Sequence, residues 1–302
     1  NAVLFGRIAK LYHDRTRLGP DGERLRLLER TYTRFHRAGA GLDDAAKARM
    51  AAITERLAEL GTVFSHHLLG DEQAWTLELG ADDRAGLSDS FIAAAQAAAT
   101  ERGEAGKAVV TLSRSSVEPF LQASTRRDLR EKVYKAFVAR GDNGNDNDNN
   151  PVIGEILALR EEAAKLLGYP HFAAYRLDDS MAKTPEAVRG LLEKVWAPAR
   201  ARALADRDAL QDLIREEGGN FALAPWDWRY YAEKLRQRRA DFDDAAIKPY
   251  LALDNMIAAA FDVAHRLFGL SFTERRDIPV WHPDVRVWEV TNAAGRHQGL
   301  FH

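Results

Sequence analysis

Residues 224–231 read Ala224-Pro225-Trp226-Asp227-Trp228-Arg229-Tyr230-Tyr231, and this stretch guides the interpretation of the whole chain. Four large aromatic rings fall within six residues, directly after a proline. Proline is favoured in the first turn of a helix, and an acidic side chain there suits the helix dipole. The stretch therefore predicts a helix start, with Trp226 and Tyr230 on one face and Asp227 and Tyr231 on the next.

Aromatic rings on two faces of one helix predict either burial between two layers or one core layer and one groove. Core packing with hydrogen-bonded tyrosine hydroxyls is the favoured interpretation, although rings with polar tips also line substrate channels. The candidate channel-wall or packing residues are Trp226, Trp228, Tyr230 and Tyr231.

Composition limits the classes of function that the chain can carry. The 302 residues have a net charge of −2 and contain no cysteine. Thiolate catalysis, disulfides and cysteine-based metal sites are therefore excluded, and the composition fits a cytoplasmic protein. With no overall basic charge and no apolar run of about 20 residues, we expect no nucleic-acid and no membrane partner.

Most of the chain has the apolar periodicity of helices. One stripe after Asp43, the expected N-cap, recurs at steps of three and four residues: Met50, Ile53, Leu57, Leu60, Phe64 and Leu68. Thr184 followed by Pro185 predicts another helix start, and Thr125 with Asp128 resembles a capping box.

Two stretches predict strands instead of helices. Residues 109–112 are β-branched and apolar. Residues 285–290 and 298–301 flank a turn at 292–295, which predicts a hairpin. The expected fold is mostly α, with a small β-hairpin or sheet near the C-terminus.

The run of Asp and Asn at residues 141–150 invites comparison with a calcium-binding loop. An EF-hand needs Gly at its sixth position and Glu at its twelfth. Starting from Asp146, Pro151 takes the sixth position, and starting from Asp142, Gly144 takes a ligand position. We therefore predict a solvated connector that ends with Asn150 as N-cap and Pro151 at the first helical position.

No catalytic motif stands out among the remaining polar residues. None of the nine histidines lies four residues from another, and none precedes a glutamate, so the zinc-peptidase helix motif is absent. Residues 113–116 have hydroxyls but no neighbouring base, and Asp178-Asp179 reads as a helix end or loop. His282 and His297 could approach each other across the terminal hairpin.

The basic clusters at 200–207 and 236–240 read as solvated helix faces.

Several stretches together resemble the M3, or thimet oligopeptidase-like, zinc metallopeptidases, closest to their bacterial peptidyl-dipeptidase Dcp branch. The resemblance covers nearly the whole chain in one order. It is carried by residues 140–143, 165–169, 177–185, 223–234, 248–250 and 261–270.

This resemblance implies a multi-helical, neurolysin-like two-lobe architecture around a deep channel. It implies residues 1–140 as an N-terminal, lid-like helical region, 141–150 as the Asp/Asn-rich connector, and 151–302 as the start of the catalytic lobe. In that family a His-Glu-x-x-His helix and a distant glutamate hold one zinc, and the helix follows the region matching Gly299-Leu300-Phe301. We therefore expect no catalytic residue and no metal ligand in this chain.

The expected function is part of a zinc-dependent peptidase acting on short peptides, either a peptidyl-dipeptidase or an oligopeptidase. Zinc is expected in the full-length parent and not in this chain. The chain alone is expected to be inactive, with the missing catalytic half as its packing partner. The alternative is a non-catalytic helical scaffold or binding module derived from the same family.

Overall fold

A computed structural model describes residues 2–19, 21–240 and 247–302, and it confirms the mostly α prediction. The helices are α1 (Ala2–His13), α2 (Arg15–Leu18), α3 (Gly22–Arg37), α4 (Asp44–Ala74), α5 (Asp89–Glu101), α6 (Arg114–Ala123), α7 (Arg127–Val138), α8 (Asn150–Leu166), α9 (Phe172–Asp178), α10 (Pro185–Glu216), α11 (Pro225–Ala240) and α12 (Leu253–Phe268). Short 3-10 turns lie at Ala81–Arg84 and Lys248–Leu251. The strands are β1 (Thr76–Glu78), β2 (Val109–Thr111), β3 (Ser271–Arg275), β4 (Val287–Thr291) and β5 (His297–Phe301).

Contacts divide the chain into two compact units, Asn1–Leu235 and Arg236–His302. This division does not test the roles predicted from the resemblance. Residues 1–140 as a lid-like region, 141–150 as a connector and 151–302 as the start of a catalytic lobe stay predictions. No helix among the described residues is long and apolar enough to cross a membrane.

The largest core of the first unit forms around β2, which is buried along its whole length. β2 pairs antiparallel with β1, with Val110 opposite Leu77. The strand predicted at 109–112 is therefore confirmed, whereas the three-residue β1 was not predicted. Side chains of α5, α6 and α7 cover the pair, and Phe120 and Val133 are fully buried among them.

A second core lies between α4 and α8 and contains Ile53, Leu60, Val152 and Leu159. Four residues of the apolar stripe predicted on α4 form this interface: Ile53, Leu57, Leu60 and Phe64. Asp43 caps the helix by accepting a hydrogen bond from Ala46 N at 2.8 Å. Two bidentate ion pairs join the half-exposed edges of the helices. Arg49 donates to Glu162 at 2.6 and 2.7 Å, and Arg56 donates to Glu155 at 2.6 and 2.8 Å.

The third core joins the end of α10 to α11 and includes Leu210, Leu213, Ile214 and Tyr231. The predicted start of α10 is confirmed, because Thr184 Oγ1 accepts a hydrogen bond from Ala187 N at 3.2 Å and Pro185 is the first helical residue. Residues 189–203 of α10 are exposed around the whole circumference of the helix.

The second unit is built on the antiparallel sheet β3-β4-β5. The predicted terminal hairpin is confirmed as β4 and β5, with a register irregularity between Val290 and Thr291. On one face of the sheet, the Phe261 ring of α12 stacks on Phe272 with centroids 4.0 Å apart. This packed helix supplies the apolar cover that a small sheet needs.

The predicted N-terminal cap of α7 was wrong. Helix α7 has Arg126 at its N-cap position, with no side-chain cap. Thr125 donates instead to the Ala85 carbonyl at 3.2 Å, and Asp128 accepts from Arg126. Both residues of the predicted cap, Thr125 and Asp128, therefore make other contacts and do not cap α7.

Candidate functional site

The aromatic stretch begins α11 as predicted, with Pro225 as the first helical residue. Asp227 Oδ2 accepts a hydrogen bond from Ala224 N at 3.1 Å, so an acid in the first turn reaches back to the residue that precedes the helix. The loop leading into the helix is fixed by Gln211 of α10. Gln211 donates to the Phe221 carbonyl at 2.9 Å and accepts from Leu223 N at 2.8 Å.

The carboxylate of Asp227 is the centre of a buried ion-pair network between α7 and α11. Its relative exposure is 0%, and Arg127 approaches it through Nε at 3.1 Å and Nη2 at 2.9 Å. Arg130, with 1% exposure, donates to it through Nη2 at 3.0 Å. Arg130 also donates to the Ser124 carbonyl at 2.7 Å and to the Trp226 carbonyl at 3.3 Å. Each charge is therefore paired, which a buried charge requires.

The sequence placed Asp227 in the first turn of the helix but did not predict its partners. Arg127 and Arg130 are three residues apart and so lie on one face of α7. This spacing of two arginines was the signal in the sequence for a paired basic face on α7. The spacing could not identify the acidic partner, which lies about a hundred residues away in sequence.

The four candidate rings have different environments. Tyr231 is 7% exposed and packs in the third core, and burial raises the pKa of its hydroxyl. The Tyr230 ring lies 4.2 Å from the Arg130 guanidinium, and the Trp226 ring lies 5.6 Å from that of Arg127. Trp228 is 38% exposed. The first three rings thus pack in or beside the ion-pair network, and a channel-wall role for any of the four stays a prediction.

Trp226 provides a test of ring packing because its indole Nε1 is buried without a hydrogen-bond partner among the described residues. Trp226→Phe should cost about 1 kcal/mol or less, since a ring is kept and no hydrogen bond is lost. Trp226→Ala should cost about 3 kcal/mol. The measurement is urea unfolding followed by circular dichroism. Trp228→Ala is the matched control and should cost less than about 1 kcal/mol; equal losses for the two alanine variants would contradict the assignment.

A second polar network surrounds Asp71, which is 6% exposed near the end of α4. Its carboxylate accepts hydrogen bonds at 2.8 Å from Gly141 N, Asn143 Nδ2 and Asn147 Nδ2. Burial acts to raise the pKa of Asp71, but these hydrogen bonds outweigh it, and the pKa lies below its usual value. The network binds the 141–150 segment tightly to α4.

The connector prediction needs correction at its ends. Residues 142–146 are exposed as expected, but Gly141 and Asn149 are buried. Helix α8 begins one residue earlier than predicted, with Asn149 rather than Asn150 at the N-cap position. The Asn149 side chain is used elsewhere, because it contacts His67 Nδ1 at 2.9 Å and donates to the Phe64 carbonyl at 3.2 Å.

The remaining candidates form no catalytic arrangement in the described ranges. The serine hydroxyls at 113 and 115 contact neighbouring hydroxyls, and Ser116 accepts from Thr111 N at 3.0 Å. Asp178 ends α9 and Asp179 follows it, which confirms the helix-end interpretation. They accept from Arg37 and Arg30, respectively.

The residues that the structure describes do not fit a zinc centre. Across residues 2–19, 21–240 and 247–302, no three His, Asp or Glu side chains are grouped to hold a metal. His297 contacts Glu289 at 3.0 Å, but Glu289 also accepts from Arg275 at 2.8 Å, and both contacts hold the pKa of Glu289 below its usual range. His282 lies 3.6 Å from a different carboxylate, that of Asp284.

Comparison with known proteins places these features in a family. The family model described as "Peptidase family M3" matches residues 120–301, which include α7, the buried network and the terminal sheet. The chain belongs to peptidase family M3.

Three relatives show how far the similarity extends. The chain is 37% identical to a dipeptidyl carboxypeptidase of Escherichia coli over all of its own length and 45% of that protein. It is 34% identical to oligopeptidase A of the same organism, over 89% of this chain and 40% of that protein. An organellar oligopeptidase A of Arabidopsis thaliana is 30% identical over 92% of this chain and 36% of that protein. The chain spans less than half the length of these curated relatives.

Proposed function

We propose that this chain is part of a cytoplasmic, zinc-dependent M3 peptidase that hydrolyses short peptides as a dipeptidyl carboxypeptidase. The observation that carries the proposal is the 37% identity to a dipeptidyl carboxypeptidase over the whole chain. The lower identity of 34%, over 89% of the chain, to an oligopeptidase A supports release of C-terminal dipeptides as the proposed specificity, with oligopeptidase activity as the alternative.

Zinc in such an enzyme would activate a water molecule for attack on the peptide bond. We propose that the ligands for this zinc lie outside residues 1–302, because no two histidines in the chain have the spacing of a metallopeptidase helix. The chain alone should therefore neither bind zinc at such a site nor cleave peptides.

The proposed packing partner is the remainder of an M3 polypeptide. Support comes from the exposed part of α10, where Leu191 and Leu192 are each 64% exposed, Val195 is 53% exposed and Trp196 is 67% exposed. Large apolar side chains clustered on an exposed helix mark interaction surfaces. The match covers only 45% of the Escherichia coli dipeptidyl carboxypeptidase, so more than half of that protein is available to cover such a surface.

The test compares the purified chain with the same chain joined to the remainder of its parent polypeptide. We expect hydrolysis of a short fluorogenic peptide, and about one zinc per molecule by elemental analysis, only in the joined protein. Mass spectrometry of the products should show C-terminal dipeptides. The matched substrates are an N-terminally blocked peptide and the same peptide with an amidated C-terminus. Cleavage within the amidated peptide would favour oligopeptidase activity over release of C-terminal dipeptides.

Stoichiometric zinc with chelator-sensitive cleavage by the chain alone would refute the proposal that the metal centre lies outside it. A joined protein that contains zinc but cleaves no peptide would refute the peptidase proposal and favour a non-catalytic scaffold. Trp196→Arg in the joined protein should lower its melting temperature if α10 is covered, and an unchanged melting temperature would argue against that packing.

A further inference from the structure

Helices α3 and α9 form an open groove of about 530 Å³ on the first unit. Leu27, Phe35 and Ala38 contribute apolar surface to it, and Tyr175 lines it from α9. Three arginines of α3, at positions 30, 34 and 37, also line the groove. It therefore combines an apolar surface with guanidinium groups, which is the composition of a site for a small amphipathic anion.

Two of the three arginines already have acidic partners. Arg30 pairs with Asp179, and Arg37 pairs with Asp178 at 3.3 Å while lying 4.3 Å from the centre of the Tyr175 ring. Arg37 is held further by its own backbone, because its carbonyl accepts from the Tyr175 hydroxyl at 3.4 Å. These contacts fix the walls of the groove.

Arg34 differs from both neighbours. In the part of the chain that the structure describes, its exposed side chain lines the groove but has no ion pair or side-chain hydrogen bond. The surrounding sequence adds to its field, since residues 2–37 carry nine Lys or Arg and four Asp or Glu, whereas the whole chain has a net charge of −2. A carboxylate entering the groove would therefore meet an uncompensated guanidinium in a locally basic region.

We propose that this groove binds a short acidic peptide, with one peptide carboxylate on Arg34 and a neighbouring apolar side chain on Leu27 and Phe35. A peptide fits better than a nucleic acid for two reasons. The carboxylates of Asp178 and Asp179 beside the groove can accept hydrogen bonds from peptide N–H groups, which a phosphate backbone does not offer. The Tyr175 ring is also engaged by Arg37 and so is not free to stack on a base. The proposal concerns binding and does not rest on the proposed peptidase activity.

The test is fluorescence anisotropy of the 302-residue chain with two labelled hexapeptides. One alternates Leu with Glu, and the other alternates Leu with Gln. The Glu peptide should bind about tenfold more tightly, because only it offers a charge-assisted hydrogen bond to a guanidinium. Its affinity should fall as salt rises from about 0.05 to 0.5 M, since the groove is open to solvent.

Arg34→Gln should weaken binding of the Glu peptide about tenfold. Arg34→Lys should have an intermediate affinity, because it keeps the charge and loses the planar fork. The matched control is Arg24→Gln, which removes the same charge from the same helix at a side chain that is 81% exposed and lies outside the groove. It should change the affinity less than twofold.

Ala38→Trp tests the groove itself, because it keeps every charge and fills the space beside the apolar surface. It should weaken binding of both peptides. Three results would overturn the proposal: equal affinity for the Glu and Gln peptides, equal losses in Arg34→Gln and Arg24→Gln, or tighter binding of a single-stranded oligonucleotide of the same charge. Circular dichroism should show the same melting temperature for Arg34→Gln as for the unsubstituted chain. If Arg34→Gln melts at a lower temperature, the affinities of Arg34→Lys and Ala38→Trp decide the proposal instead.

Discussion

Asp227→Ala is expected to lower the free energy of unfolding of the first unit by about 3–5 kcal/mol. The substitution removes the carboxylate that pairs with both Arg127 and Arg130, and it leaves the Arg130 guanidinium, with 2% side-chain exposure, without its counter-charge. It also removes the acceptor for Ala224 N at the start of α11. Urea unfolding monitored by tryptophan fluorescence will report the change, because Trp226 lies beside the network.

Controls separate a stranded buried charge from the loss of any ion pair. Asp212→Ala removes a carboxylate that is 64% exposed and paired with Arg215, and it should change stability by less than about 0.5 kcal/mol. Adding Arg130→Met to Asp227→Leu should recover part of the loss, since it removes the fully buried charge and leaves only the part-exposed Arg127 without its partner. A loss below about 1 kcal/mol in Asp227→Ala would show that the network does not hold α7 and α11 together.

Asp71→Ala is expected to cost about 3 kcal/mol, because three donors of the 141–150 segment lose a buried acceptor. Chemical denaturation gives the loss in stability, and hydrogen exchange should show faster exchange at Gly141 N. Asp142→Ala is the control within the same segment. Its carboxylate accepts from Asn150 at 2.6 Å in an exposed position, and its removal should cost less than about 1 kcal/mol.

The Asp71 network also predicts a pH dependence. Hydrogen bonds lower the pKa of this carboxyl in the folded state relative to its usual value of 3.8. Its contribution is therefore fully present above pH 3.8 and is lost as the pH falls through the lower folded pKa. The difference in stability between the unsubstituted chain and Asp71→Asn should be constant near neutral pH and shrink in acid. A difference that grows in acid would contradict this assignment.

Local features of the fold were predictable from the sequence because their causes lie within a few residues. Asp43 and Thr184 cap the helices that follow them, and most of the predicted apolar stripe of α4 packs against α8. The terminal hairpin follows in the same way from strand residues around a turn. Each of these features depends on spacing that can be read directly along the chain.

The polar networks could not be predicted for the opposite reason. Asp227 meets two arginines about a hundred residues away, and Asp71 meets a segment about seventy residues away. The shift of the α8 cap has the same origin, because Asn149 and His67 lie 82 residues apart. Sequence patterns identify residues that suit a cap or a helix face, but tertiary contacts decide which partner each residue receives.

The two bidentate ion pairs between α4 and α8 have a consequence for folding fidelity. Arg49 and Arg56 are seven residues apart, and their partners Glu162 and Glu155 are seven apart in the opposite direction. An antiparallel helix pair that docked one turn too far along its axis would separate both arginines from their partners together. Apolar side chains tolerate such sliding better than forked, directional contacts do. These half-exposed pairs therefore matter less for stability than for alignment, because they select one axial register when α4 packs against α8.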